Sequence, residues 1–191
     1  GEWVLRCACA EAMRWPDPIR VAVNLSALQF QRGDIVQAVR TALETSRLPP
    51  RRLELEITES ALLQDNERVM AILRQFRDLG ISTALDAFGT GYSSLDYLRK
   101  LRFSPIQVDR SFVKGAATGN PQSLAIIRAV VAMASSLGIS TTAEGVEVAA
   151  EARMIRELGC KNTQGYYFGK PMAAVDVLHL FEQEQTGGLR A

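Results

Sequence analysis

Histidine occurs once in these 191 residues, at His179, and cysteine only three times, at Cys7, Cys9 and Cys160. A lone imidazole cannot support a histidine-built metal cluster. Three thiols at this spacing give neither a disulfide framework nor a zinc site. Any metal here must therefore be held by carboxylates, which selects a hard cation. Such thiol usage fits a reducing, cytoplasmic setting. Charge of one sign is also missing: 22 Lys+Arg stand against 21 Asp+Glu, leaving +1. That balance argues against a nucleic-acid partner, which calls for a basic excess or a basic face. No apolar run approaches the roughly 18 residues of a membrane span. The first ten residues lack the charged and apolar regions of a signal peptide. What the chain does have is ordinary globular composition, 47% apolar, enough to bury the core of a single domain.

Six short strand-like runs punctuate the sequence, at 20–27, 53–60, 82–89, 105–112, 140–146 and 161–168. Helical patterns lie between them. In 64–79 the apolar residues Val69, Ile72, Leu73, Phe76 and Leu79 recur near three-and-four spacing, and Gly80 closes the pattern. Residues 121–137 repeat this with Pro121 in the first turn and Gly138 at the end, and 149–158 ends at Gly159. A first helix over 2–15 is stopped by Pro16 and Pro18. Strands alternating with helices predict parallel pairing through right-handed crossovers, as a barrel or a doubly wound sheet. The phrase LGIST occurs at 79–83 and again at 137–141, each time with a carboxylate six residues beyond its glycine, Asp86 or Glu144.

Strand side chains alternate between faces. Leu53, Leu55 and Ile57 oppose Glu54, Glu56 and Thr58, and the other runs divide in the same way. If the apolar face meets the helices, then Asn24, Glu56, Asp86, Asp109, Glu144 and Gln164 point inward near the C-terminal strand ends, where a parallel barrel keeps its site. One strand-end acid more often caps a helix. Six strands each delivering an acid or amide call for a cation such as Mg2+, Mn2+ or Ca2+, and with it metal-assisted chemistry on a phosphorylated ligand. The turn FGTGYSSL at 88–95 can offer backbone N–H groups of Gly89, Thr90 and Gly91 to phosphate, or serve only as a tight turn. Glu59 has three open roles: a ligand, a tether for that turn, or a cap for the helix beginning near Leu62.

With these residues in place, the chain resembles the EAL domain, the cyclic-di-GMP phosphodiesterase module of bacterial signalling. The matching stretches are VAVNLSALQF at 21–30, LELEITES at 53–60, LDAFGTGYSSLDYLRKL at 85–101, IQVDRSFV at 106–113, AEGVE at 143–147 and QGYYFGKPM at 164–172. The resemblance implies a TIM-like (βα) barrel binding two divalent cations, Mg2+ or Mn2+, and hydrolysing cyclic-di-GMP to linear pGpG. It implies metal contacts from Asn24, Glu56, Asp86 and Glu144, with Glu144 also holding water. Gln164 becomes a contact to phosphate or metal-held water. Glu59 becomes the residue that steadies the glycine-rich turn, and Asp109 the Asp of a K-I-D motif. As partners it implies cyclic-di-GMP, a homodimer through residues 88–101 and an upstream sensory or GGDEF domain.

Three departures shape the expectation. The family's Glu-Ala-Leu signature lies upstream of the helix starting near Glu2, so residues 1–191 read as a single EAL domain lacking its first two strands. Six strands do not close an eight-stranded barrel. Either the chain is a fragment of a longer polypeptide, or a partner subunit or rearranged edge covers the gap. Ala87 stands where the family has a second Asp, and Gln107 where it has a Lys. Losing a ligand, or a charge aimed at the transition state, costs about 10²–10³ in rate apiece. The first expectation is thus a catalytically impaired cyclic-di-GMP-binding or regulatory module. Its alternatives are an active metal-dependent phosphodiesterase, and a protein–protein module using the helix at 92–101.

Overall fold

The computed structural model of the chain describes residues 1–31, 34–63, 66–88, 98 and 103–186. Among these the elements run α1 (Glu2–Ala12), β1 (Val21–Leu25), α2 (Ala27–Gln31), α3 (Ile35–Ser46), a 3₁₀ turn (Pro50–Arg52), β2 (Leu53–Thr58), α4 (Glu59–Leu63), α5 (Asn66–Asp78), β3 (Ser82–Phe88), β4 (Ile106–Val108), α6 (Arg110–Ala117), α7 (Pro121–Ser136), β5 (Thr141–Ala143), α8 (Ala149–Glu157), β6 (Asn162–Thr163) and α9 (Ala174–Thr186). All six strands are parallel, and each pairs with its sequence neighbours in the order β1-β2-β3-β4-β5-β6. The result is a half-barrel of (βα) units, as the alternation of strand and helix predicts.

The repeated LGIST phrase is a helix-to-strand turn. Gly80, Gly138 and Gly159 all have φ between 68° and 94°. The residue after each glycine donates its N–H to the carbonyl five residues back: Ile81 to Phe76 at 3.0 Å, Ile139 to Ala134 at 2.8 Å and Cys160 to Ile155 at 3.2 Å. This Schellman bond satisfies an orphan helix carbonyl and aims the chain into the next strand at a fixed offset. That offset is why the carboxylates after Gly80 and Gly138 arrive at corresponding places. The helix starts are set as locally. Asn120 accepts from the N–H groups of Gln122 and Ser123 ahead of Pro121, and Asp34 accepts from Gln37 at the head of α3.

The core lies between the sheet and its helices. Leu53, Leu55, Ile57, Ile106 and Val108 are fully buried, with Val39, Phe76, Val113, Ile127 and Ile155 facing them from the helices. Fully burying each such side chain contributes about 1.5–3 kcal/mol. One cation belongs to this interior. Arg52 is 5% exposed and donates to Ala12 O and Ile19 O, both at 2.7 Å, and to Trp15 O at 3.1 Å. It thereby occupies the carbonyls left open where α1 stops and ties that end to β2.

The elements are shorter than the sequence pattern suggests. α1 ends at Ala12 rather than at 15, because Pro16 and Pro18 cannot continue it. β4, β5 and β6 keep only two or three paired residues. Each is cut short by a local event: the Asp109 cap of α6, Gly145 at φ 70°, or Gly165 pressed against Val146. β3 is irregular. Its register to β4 shifts between Leu85 and Phe88, and Ala87 there has φ 54°. A bulge of this kind re-aims side chains next to a site. The last helix returns toward the start of the chain, where Phe181 meets Trp15 edge-on with ring centroids 5.8 Å apart.

Candidate functional site

The C-terminal ends of the strands gather the polar residues of the inner face. Asn24 is the register partner of Glu56. Asn24 hydrogen-bonds the Glu56 carboxylate, which is itself buried at 7% exposure. On β3 the residue level with Glu56 is Ala84, and Asp86 stands level with Thr58, one inward position farther along. The small Ala84 leaves a gap over β3. Across it Gln107 of β4 reaches Glu56, Nε2 donating to Oε1 at 2.5 Å. Glu144 follows β5 and is anchored by its N–H on Val108 O at 3.0 Å.

Neighbouring carboxylates act on one another's ionisation here. Burial pushes the Glu56 carboxyl up, and nearby Asp86 adds to this, while bonds from Gln107 and Asn24 oppose it. Asp86 is raised by burial and by Asp109, against the Ala87 N–H that steadies its carboxylate. Glu144 is pushed up to about 7 by burial first, then by Asp86, Glu56 and Asp109. Glu56, Asp86 and Glu144 are thus each raised by a neighbouring carboxylate, which is unfavourable unless positive charge is brought in. Asp109 has a second role: its Oδ1 accepts from Ser111 N at 2.8 Å and Ser111 Oγ at 2.5 Å, capping α6.

Gln164 joins the cluster through the backbone. Its N–H donates to Ala143 O at 2.8 Å, and its carbonyl accepts from Val146 N at 3.1 Å. The Glu144–Val148 turn is held on both sides. A Cβ on Gly145 would lie 2.4 Å from Arg110 Cβ, and one on Gly165 would lie 2.1 Å from Val146 O, so neither position has room for a side chain. Beside the turn lies a cavity of about 220 Å³, lined by Arg110, Glu144, Glu147, Gln164 and Tyr166.

Glu59 makes no hydrogen bond to the cluster among the described residues. It opens α4 and is 7% exposed, and neither carboxylate oxygen has a hydrogen-bond partner among the described residues. Gly89, Thr90 and Gly91 lie outside the described residues, as does most of the 88–101 segment expected to support a homodimer. Sequence reasoning missed three groups. Arg20 pairs with the buried Glu54 at 3.2 Å, one inward position below Glu56. Lys114 pairs with Glu147 at 2.8 Å beside the cavity. Glu151 accepts from Glu147 N at 2.6 Å and Val148 N at 3.3 Å, fixing the turn after Glu144. The four-residue step from Glu147 to Glu151 ahead of a helix was the available signal.

Residues 1–171 match the EAL domain family. The chain belongs to that family. It is 41% identical over 182 residues to the bifunctional diguanylate cyclase/cyclic di-GMP phosphodiesterase MucR of Pseudomonas aeruginosa, an alignment covering 93% of the chain and 26% of MucR. The solved PaMucR phosphodiesterase in complex with c-di-GMP superimposes with a TM-score of 0.87 at 41% identity, over 93% of this chain and 73% of that one. BlrP1 of Klebsiella pneumoniae, solved with manganese and c-di-GMP, aligns with a TM-score of 0.77 at 28% identity, over 86% of this chain and 42% of that one. The chain spans about a quarter of the length of the curated relatives it matches, 22% to 26%.

The residues of this EAL domain suit a hard divalent cation. The donors are carboxylate and amide oxygens, and the raised carboxyls mark a surplus of negative charge. Among the described residues, no three His, Cys, Asp or Glu side chains stand close enough to hold one ion by themselves. No helix among the described residues is long and apolar enough to cross a membrane.

Proposed function

We propose that residues 1–191 act as one EAL module that binds cyclic-di-GMP at the strand ends with a divalent cation and turns it over poorly. The relatives' names and the oxygen-rich cluster support the ligand class. The reading of poor turnover is carried by the Gln107–Glu56 bond. Where the family pattern places a positive charge, this chain has a neutral amide bonded to a carboxylate. Beside it, Ala87 offers a methyl group where the pattern places a second carboxylate.

Asn24, Glu56, Asp86 and Glu144 would hold the cation, which would supply positive charge to the phosphodiester. The chain's own groups do the rest. Glu144 can hold or take a proton at its carboxylate near neutral pH. Gln164 offers an amide to phosphate or water. Asp109 adds negative charge to the cluster while capping α6. Glu59 and the backbone N–H groups of Gly89, Thr90 and Gly91 are the remaining candidates for ligand contact.

The test is a calorimetric titration with cyclic-di-GMP in the presence of Mn2+, followed by chromatography of the recovered nucleotide. Saturable binding with intact nucleotide is expected. Rapid formation of pGpG would sink the impaired reading and favour an active phosphodiesterase, and no binding would sink the ligand assignment.

A further inference from the structure

We propose that the side-chain oxygen of Gln107 is itself a donor to the divalent cation, so that this chain puts a metal ligand where the family pattern puts a lysine. The inference rests on the cation site proposed above and concerns a residue which that site's acids do not include.

Four observations converge. Gln107 is 1% exposed, yet its Oε1 has no hydrogen-bond partner among the described residues. A buried amide oxygen left unpaired is unfavourable. The same amide is locked by its nitrogen on Glu56 Oε1 at 2.5 Å, so its oxygen is held beside the carboxylate cluster. Adjacent strands bring Asn24, Glu56 and Asp86 to the same place: Asn24 is level with Glu56, and Asp86 is one inward position farther along β3. An amide oxygen carries partial negative charge and finds no attraction there until a cation arrives. Finally, no three acids among the described residues suffice to hold an ion. Hard divalent cations accept amide carbonyls readily as neutral donors. Asn24 supplies one such group and Gln107 the other.

The residue of β3 level with Glu56 is Ala84, whose methyl leaves the Gln107 amide a path across β3. A lysine at 107 would fill that path with an ammonium group and repel the ion. Glutamine reverses the sign of the contribution.

The test titrates the nucleotide-free chain with Mn2+ alone, following free Mn2+ by electron paramagnetic resonance. Gln107→Met keeps the length and removes the oxygen. It is expected to weaken Mn2+ binding about ten- to a hundredfold, as losses around metal sites do. In parallel, the side-chain amide resonance of Gln107 in the unaltered chain is followed during a Mg2+ titration, assigned by its absence from Gln107→Glu. It is expected to shift and saturate with the ion. A resonance that does not move overturns the inference even where the Met variant fails to fold. Mn2+ binding abolished by Asp86→Asn but unchanged in Gln107→Met overturns this inference and leaves the cation site standing. No Mn2+ binding by the unaltered chain overturns both.

Discussion

Replacing Glu144 by Gln is expected to stabilise the metal-free chain at alkaline pH and to change little at acid pH. In the folded chain the Glu144 carboxyl sits at about 7 instead of the ordinary 4.5, through burial and the charges of Asp86, Glu56 and Asp109. The unfolded chain releases this proton near 4.5. Between those values the folded state therefore holds more protons than the unfolded one, and stability falls as pH rises. The contribution is fully present below 4.5 and lost once pH passes about 7. At about 1.4 kcal/mol per pH unit, the step amounts to about 3 kcal/mol. Glu144 is only half-buried, and solvent screening reduces this to about 2 kcal/mol.

A glutamine has the same shape and cannot ionise. In EDTA, urea unfolding should thus show Glu144→Gln more stable than the parent by about 2 kcal/mol near pH 8, with the difference shrinking toward zero near pH 4.5. The matching rise in Tm is about 4–8 °C for a chain of this size. Saturating Mn2+ should narrow or reverse the gap at pH 8, because the ion neutralises the charge that destabilises the parent. A difference that stays constant from pH 4.5 to pH 8 would refute the argument, since it would show that Glu144 does not ionise inside the cluster.

Other positions give separate expectations. Arg52→Ala strips hydrogen bonds from Ala12, Trp15 and Ile19 and should lower unfolding stability by about 3 kcal/mol, read by urea titration. Gly165→Ala drives a methyl into Val146 O and should cost about 1–3 kcal/mol. It should also weaken cyclic-di-GMP binding, measured by calorimetry, because Gln164 and the turn after Glu144 move with Val146. Ala87→Asn keeps the left-handed backbone at φ 54° with a residue that tolerates it, and should raise Tm by about 2–4 °C in a thermal melt.

The parts of the fold written in short-range chemistry were legible. The alternation in LELEIT gave β2, and the two LGIST phrases gave the turns that deliver Asp86 and Glu144. The strand lengths were not legible: β4 stops at the Asp109 cap of α6, and β5 and β6 stop where Gly145 and Gly165 press on Arg110 and Val146, residues far away in sequence. Inside the site, reading alternate residues placed Asn24 and Glu56 on one face. It could not place Gln107 on Glu56, since that bond depends on a register that sets Ala84 between them. Arg20 and Glu54 were hidden for the same reason.

The two substitutions that distinguish this chain from its family pattern act on the site in different physical ways. Ala87 offers a methyl group where the pattern has a carboxylate. Its φ of 54° is a conformation that Asp and Asn adopt more readily than Ala, so the bulge carries a strain that its methyl does nothing to relieve. Gln107 changes the sign of a contribution instead of deleting it. A lysine there would offset the charges gathered at the strand ends, and the glutamine leaves Glu56, Asp86 and Glu144 raised by their carboxylate neighbours. A cluster left in that state is unfavourable in the empty chain and correspondingly more attractive to a cation. The same change that weakens the case for hydrolysis therefore strengthens the case for metal-dependent binding. On the proposed reading, occupancy of the cation site, more than the presence of any one acid, would decide how stable the strand ends are and how they meet a phosphodiester.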